Sequence, residues 1–149
     1  IFTDIIVGFT GETEEQFMNT YKAMEDIRFN MAYIARYSPR PGAASARWDD
    51  DIPHDVKKDR LHRLSQLLQE HSLAHNKVMI GKTMKVLVTG TDRKHHYLSG
   101  LTEGKIIVRF ESDNPLLIGK FVDIRITSAA EFATEGELCK IYNEELSRA

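Results

Sequence analysis

Four groups of residues have types and spacings that suit chemistry. The first is Gly8-Phe9-Thr10-Gly11-Glu12-Thr13-Glu14-Glu15. Two glycines ahead of a helix start let a phosphate, or the polar part of a cofactor, approach backbone N–H groups. The stretch has neither GxxxxGK nor GxGxxG, and Glu12, Glu14 and Glu15 repel phosphate. A tight turn running into a helix cap accounts for it more simply. The second group is Tyr37-Ser38-Pro39-Arg40-Pro41-Gly42, followed by Ala43-Ala44-Ser45-Ala46. Two prolines stiffen a loop around Arg40, whose guanidinium is either a phosphate or carboxylate partner or a solvated charge. The third is His71 and His75, spaced i, i+4 as some metal ligands are. No Glu lies between them in the HExxH pattern and no third ligand is evident, so they read as the edge of a packing stripe. The fourth is Arg93-Lys94-His95-His96, in a segment that also carries Lys82, Lys85, Lys105, Arg109, Lys120 and Arg125. Tyr97, Phe110 and Phe121 accompany it, available for base stacking or for core. Such a mixture suits RNA backbone tracking. The alternative is a solvated strand surface, with alternation placing Phe110 in the core beside Ile106 and Val108.

Elements must position these groups. Ile5-Ile6-Val7 is β-branched and continuous, as in a parallel strand covered on both faces. Thr13 to Gln16 reads as a capping box, and Phe17, Tyr21, Met24 and Ile27 follow at helical spacing until Arg28-Phe29-Asn30. Met31 to Tyr37 reads as a second strand. Strand, helix, strand is a parallel crossover unit, and ligands gather where its strands hand over to loops. The first two groups sit there. A crossover unit of two strands lacks neighbours, so residues 1–47 read as the last part of a larger α/β domain.

Asp51 is a candidate helix cap, and Pro53 suits a first helical turn. Leu61, Leu64, Leu68, His71, His75 and Val78 then form one stripe of a long amphipathic helix. From Lys82 the period changes to two. KVLVTG, HYLSG, KIIVRFES and KFVDIRITSA read as short strands divided by turns. Val122 to Thr127 alternates best. Short strands in close succession suggest a small closed barrel of the oligonucleotide-binding type. Tyr142 to Ala149 reads as a frayed helical tail.

Composition sets outer limits. The chain has 149 residues, 42% of them apolar, and a formal charge of −2. No apolar run approaches the roughly 20 residues that cross a bilayer, and no signal peptide is recognisable. The single Cys139 excludes an internal disulfide framework and any multi-cysteine metal or iron–sulfur site within this chain. Cys139 itself reads as a packing residue.

TDIIVGFTGETEEQF, followed by YSPRPGAASA, closely resembles the radical-SAM methylthiotransferases. Thr10 stands where that family usually has Pro, and Ala43-Ala44 where it has Thr-Pro. PHDVKKDRLHRLSQL resembles the family's helix after its barrel, and the segment from Gly81-Lys82 to Ala129 its TRAM domain, a small RNA-binding barrel. Arg40 in YSPRPG points to the tRNA-modifying branch over the ribosomal-protein branch.

The resemblance implies an α/β plus all-β fold. Residues 1–50 would be the C-terminal part of a radical-SAM barrel, 51–80 a connecting helix and 81–149 the TRAM barrel. It implies methylthiolation of isopentenyladenosine beside the tRNA anticodon, with S-adenosylmethionine and two 4Fe-4S clusters as cofactors of the full-length enzyme. Both sets of cluster cysteines are missing here, so the chain alone is expected to be inactive, with no catalytic or metal-ligating residues of its own. Gly8, Gly11, Glu12, Tyr37 and Ser38 match positions near the S-adenosylmethionine cavity. Arg40, Lys85, Arg93, Lys94, Lys105, Arg109 and Arg125 are the expected RNA contacts. The expected partner is the tRNA anticodon stem-loop, in the cytoplasm, with self-association through the open strands. A free-standing RNA-binding module is the alternative.

Overall fold

The computed structural model describes residues 1–142, and the expected helical tail lies, from residue 143 on, outside them. The chain divides into two compact units, Ile1–Ser72 and Leu73–Ala149.

In the first unit, β1 (Phe2–Val7) and β2 (Met31–Arg36) pair in parallel, with Ile5 opposite Ile34. The crossover between them is α1 (Glu14–Ile27). Its capping box forms as the sequence predicts. Thr13 Oγ1 accepts from Gln16 N–H at 3.2 Å and Gln16 Oε1 accepts from Thr13 N–H at 3.0 Å. Arg28, in the left-handed region at φ 54°, ends the helix by donating its N–H to the Met24 carbonyl. The core joins Val7, Phe17, Met24 and Ala32 to Leu64, Leu67 and Leu68. Those three leucines come from α2 (His54–Lys77), so the first part of this helix completes the unit's core instead of only leading away from it. The sheet is covered on one face. Ile6 (55% exposed) and Tyr33 (70%) stand on the other, against the expectation of a strand buried on both.

Asp51 does not cap α2. The helix starts at His54, just after Pro53, and the Asp51 carboxylate accepts from Gly11 N–H instead. Leu64, Leu68 and His71 are buried as the stripe predicts. Val78 lies past the end of the helix and is exposed.

The second unit is a closed five-stranded barrel. Its strands are β3 (Thr83–Thr91), β4 (Tyr97–Thr102), β5 (Ile107–Glu111), β6 (Phe121–Ala129) and β7 (Thr134–Ile141). The order round the barrel is β3-β4-β5-β7-β6. Alternation along each strand fills the interior with Val86, Val88, Leu98, Val108, Phe110, Val122, Ile124 and Ile126. The strand missed from sequence is β7, which pairs parallel to β5 and antiparallel to β6 and so closes the barrel. Cys139 on β7 is exposed, a correction to the packing reading: the strand turns that side chain outward. Asn76 Nδ2 donates to the carbonyls of Ala130 and Glu131, tying the end of α2 to the β6–β7 turn within this unit.

Candidate functional site

In the first unit the ends of β1 and β2 carry both sequence-predicted loops. Phe9 to Glu12 form a turn in which Glu12 N–H donates to the Phe9 carbonyl at 2.9 Å. Gly11 holds the third position at φ 77°, which defines a type II turn, with Thr10 second. Proline suits that second position, and the Thr10 hydroxyl is buried with no hydrogen-bond partner. Gly8 is also left-handed, at φ 69°, and a Cβ there would run into the methylene stem of Lys57.

The glycine N–H groups do not point at an open anion site. Gly8 N–H donates to Glu12 Oε2 at 2.7 Å and Gly11 N–H to Asp51 Oδ1 at 2.8 Å. Arg60, itself buried, donates to the Glu12 carboxylate at 2.7 Å, to the Glu12 carbonyl at 3.1 Å and to Glu14 Oε2 at 3.3 Å. Arg63 takes the other Glu14 oxygen at 2.8 Å. Its hydrogen bond holds the Glu14 carboxyl below the usual carboxylate range, with Arg60 assisting. Glu12 and Glu14 thus serve as internal acceptors, and the loop is a corner anchored to α2.

Two clefts open beside the second loop. One, of about 430 Å³, is bordered by Arg36, Tyr37, Ser38, Asp50, His54 and Lys57. Arg36 Nη1 donates to His54 Nε2 at 2.8 Å, and buried Lys57 is ion-paired with Asp50. The other, of about 250 Å³, lies among Ile6, Phe9, Tyr37, Ser38, Arg40 and Ser45. Phe9 packs edge-on against Tyr37 at 4.8 Å and Trp48 at 5.8 Å. The structure therefore brings Tyr37, Ser38 and Arg40 to cleft walls and turns Gly8, Gly11 and Glu12 into the scaffold behind them. Arg36, Lys57 and His54 were not singled out from sequence. Their spacing carries no motif, and only the fold gathers them.

In the barrel the basic tip is a built loop. Asp92 accepts from Lys94 N–H and from Arg109 Nε at 3.0 Å. Lys94 Nζ reaches Glu135 at 3.0 Å and lies 3.8 Å from the Tyr97 ring; both partners raise its pKa, Tyr97 first. His96, left-handed at φ 63°, contacts Asp113 at 2.6 Å. Arg125 pairs with Glu137 at 2.6 Å. Of the expected RNA contacts, Lys94, Arg109 and Arg125 therefore already have carboxylate partners. Among the described residues, Arg93, Lys105 and Lys85 have none. Lys105 sits at φ 60° in the β4–β5 hairpin, its side chain exposed. Phe110 is core, while Phe121 is 47% exposed on the barrel's outer wall.

A small closed barrel of five strands fits a fold of the oligonucleotide-binding type. A family model for the TRAM domain matches residues 77–139. Across 97% of its length the chain is 40% identical to the tRNA-2-methylthio-N(6)-dimethylallyladenosine synthase of Salmonella arizonae, and 41% identical to the enzyme of the same name from Escherichia coli O139:H28. It spans 30% of the length of those relatives, on their C-terminal part. The chain is therefore similar to the C-terminal part of these synthases, with a TRAM-domain match inside it.

The resemblance to the radical-SAM methylthiotransferases implies iron–sulfur clusters and S-adenosylmethionine. The clusters do not fit the residues present. The sequence has one cysteine, and the described residues hold no group of three or more His, Cys, Asp or Glu able to bind a metal. Among the described residues, no helix is long and apolar enough to cross a membrane.

Proposed function

We propose that this chain serves a tRNA methylthiotransferase as its RNA-gripping barrel and as one wall of its S-adenosylmethionine cavity. In this reading residues 1–50 belong to the radical-SAM barrel, 51–80 connect, and 81–149 grip RNA. The open sheet face around Ile6 and Tyr33 supports the first assignment, because an apolar strand face calls for further cover. Left uncovered, the same face would favour self-association. S-adenosylmethionine would supply the radical chemistry. This chain's part is to line the cavity with Tyr37 and Ser38, to hold the loop corner rigid through Gly8, Gly11 and Glu12, and to offer Arg40 to a carboxylate or phosphate. The substrate is the isopentenyladenosine beside the tRNA anticodon, met in the cytoplasm.

The observation that carries the RNA role is the closed barrel over the stretch matched by the TRAM model. On it Arg93 and Lys105 are exposed and have no carboxylate partner among the described residues, whereas Lys94, Arg109 and Arg125 must first leave a carboxylate. Titrating a labelled anticodon stem-loop with the 149-residue chain at several salt concentrations tests this. Affinity should fall steeply with salt. Replacing Arg93 and Lys105 together with Gln should lower the log–log slope by about two units, and weaken unrelated RNA equally. Salt-insensitive binding, or an unchanged slope in the double variant, would contradict the assignment.

A further inference from the structure

The outer wall formed by β3, β6 and β7 is built differently from the tip. Side chains on it lie in two rows across the three strands. One row is Leu87, Phe121 and Tyr142: Leu87 pairs with Phe121, and Tyr142 N–H donates to the Phe121 carbonyl at 3.0 Å. The other row is Lys85, Asp123 and Lys140, paired in register. Lys85 Nζ lies 4.3 Å from the Tyr142 ring and 5.8 Å from that of Phe121. Lys140 Nζ is 4.6 Å from the Tyr142 ring, and the Tyr142 hydroxyl donates to Asp123 at 2.9 Å.

This wall is a poor candidate for core and a good one for a ligand. Leu87 and Phe121 are 36% and 47% exposed. The Tyr142 ring is held by its hydroxyl and has both ammonium groups over it, which leaves Phe121 as the exposed ring of the row. Lys85 and Lys140 stand in register on either side of Asp123, so two positive charges against one negative leave a net positive edge. Residues two apart on a strand are about 7 Å apart. The lysine stems therefore start one such step from the apolar, aromatic row, and their ammonium groups lean back to 4.3–5.8 Å from its rings, within reach of the phosphate of a nucleotide whose base lies on Phe121. Duplex RNA hides its base faces, so only an unpaired strand can use both rows.

We propose that this wall, centred on Phe121 and edged by Lys85 and Lys140, is a stacking platform for unpaired nucleotides. The proposal rests on the RNA reading given above and places the base contacts away from the Arg93–His96 tip. The tip then holds backbone and the wall holds bases.

The test uses the full 149-residue chain and two labelled probes. One is an oligoadenylate of about ten nucleotides, within the site size of a small barrel. The other is a blunt RNA duplex of similar length. The chain should prefer the single strand. Phe121→Leu keeps apolar bulk and should preserve the circular dichroism, yet weaken the single strand about tenfold while leaving the duplex alone. Phe121→Tyr should restore binding. Lys85→Gln should weaken both probes and lower the salt slope by about one unit. Undiminished single-strand affinity in Phe121→Leu, with the wild type binding normally, overturns the platform but leaves the RNA role intact. A wild type that binds neither probe overturns both.

Discussion

Arg60→Ala should destabilise the Ile1–Ser72 unit by about 3–5 kcal/mol, the usual effect of stripping one partner from a buried ion pair. The Arg60 side chain is 5% exposed and its partner Glu12 12% exposed, so neither charge has much water to fall back on. Removing the guanidinium leaves the Glu12 carboxylate facing only Gly8 N–H and strands the Glu12 carbonyl. It also loosens the turn from α2, to which Arg63 still ties Glu14. A loss of that size takes most of the stability of a unit this small. Trp48, the only tryptophan in the chain, lies in this unit, so its fluorescence in a urea titration reports the effect. Pairing Arg60→Met with Glu12→Gln should recover most of it. Gln keeps an acceptor for Gly8 N–H, Met keeps the stem volume, and no charge is left buried. The same cluster sets an acid limb. The Glu14 carboxyl is held below its ordinary value of 4.5, so its contribution is complete above that value and fades as pH falls through the lower folded one. A drop below about 1 kcal/mol in Arg60→Ala would show that the network does not anchor the loop.

Gly136→Ala should be at least as damaging to the barrel. Gly136 lies on β7 opposite Ile126, and its Cβ position is filled by the Arg125 carbonyl and the Ile124 side chain. The carbonyl is backbone inside a paired sheet and cannot swing away. Overpacking typically costs 1–3 kcal/mol where side chains can adjust, and about 3 or more is expected where a strand must move. The strand concerned is the one that closes the barrel. Amide hydrogen exchange should therefore accelerate across β5, β6 and β7 together, since β7 bridges β5 and β6. Gly90→Ala, at a site with no atom within 4 Å of its Cβ position, is the matched control and should be mild. Equal protection in the two variants would count against this role for Gly136.

How far the sequence foretold these features depended on how local their causes are. The capping box of α1, the parallel pairing of β1 with β2 and the inward alternation of Val122, Ile124 and Ile126 depend on near neighbours or simple periodicity, and all were legible. β7 was not. TEGELCKI carries three charged residues and a glycine among its eight, and its outward side chains are mostly exposed. What makes it a strand is pairing with β5 and β6, far away in sequence. Asp51 was misread as a cap because a carboxylate before a proline suits one, whereas its actual donor, Gly11, is 40 residues earlier. The candidate sites followed the same rule. Loop composition marked Arg40, and the family resemblance marked Tyr37 and Ser38. Neither could show that Glu12 turns inward to Arg60, or that Lys94 and Arg109 meet carboxylates while Lys85 meets two aromatic rings.

We propose that this chain does the work of the C-terminal part of a tRNA methylthiotransferase. It is tested most directly by exchange. The corresponding part of the Escherichia coli relative is replaced by this chain, and the chimera is expressed in cells lacking their own enzyme. Mass spectrometry of the tRNA nucleosides should then show the 2-methylthio group on isopentenyladenosine, while cells carrying this chain alone should show none. A folded, cluster-loaded chimera that binds the anticodon stem-loop yet leaves every tRNA unmodified would contradict the account.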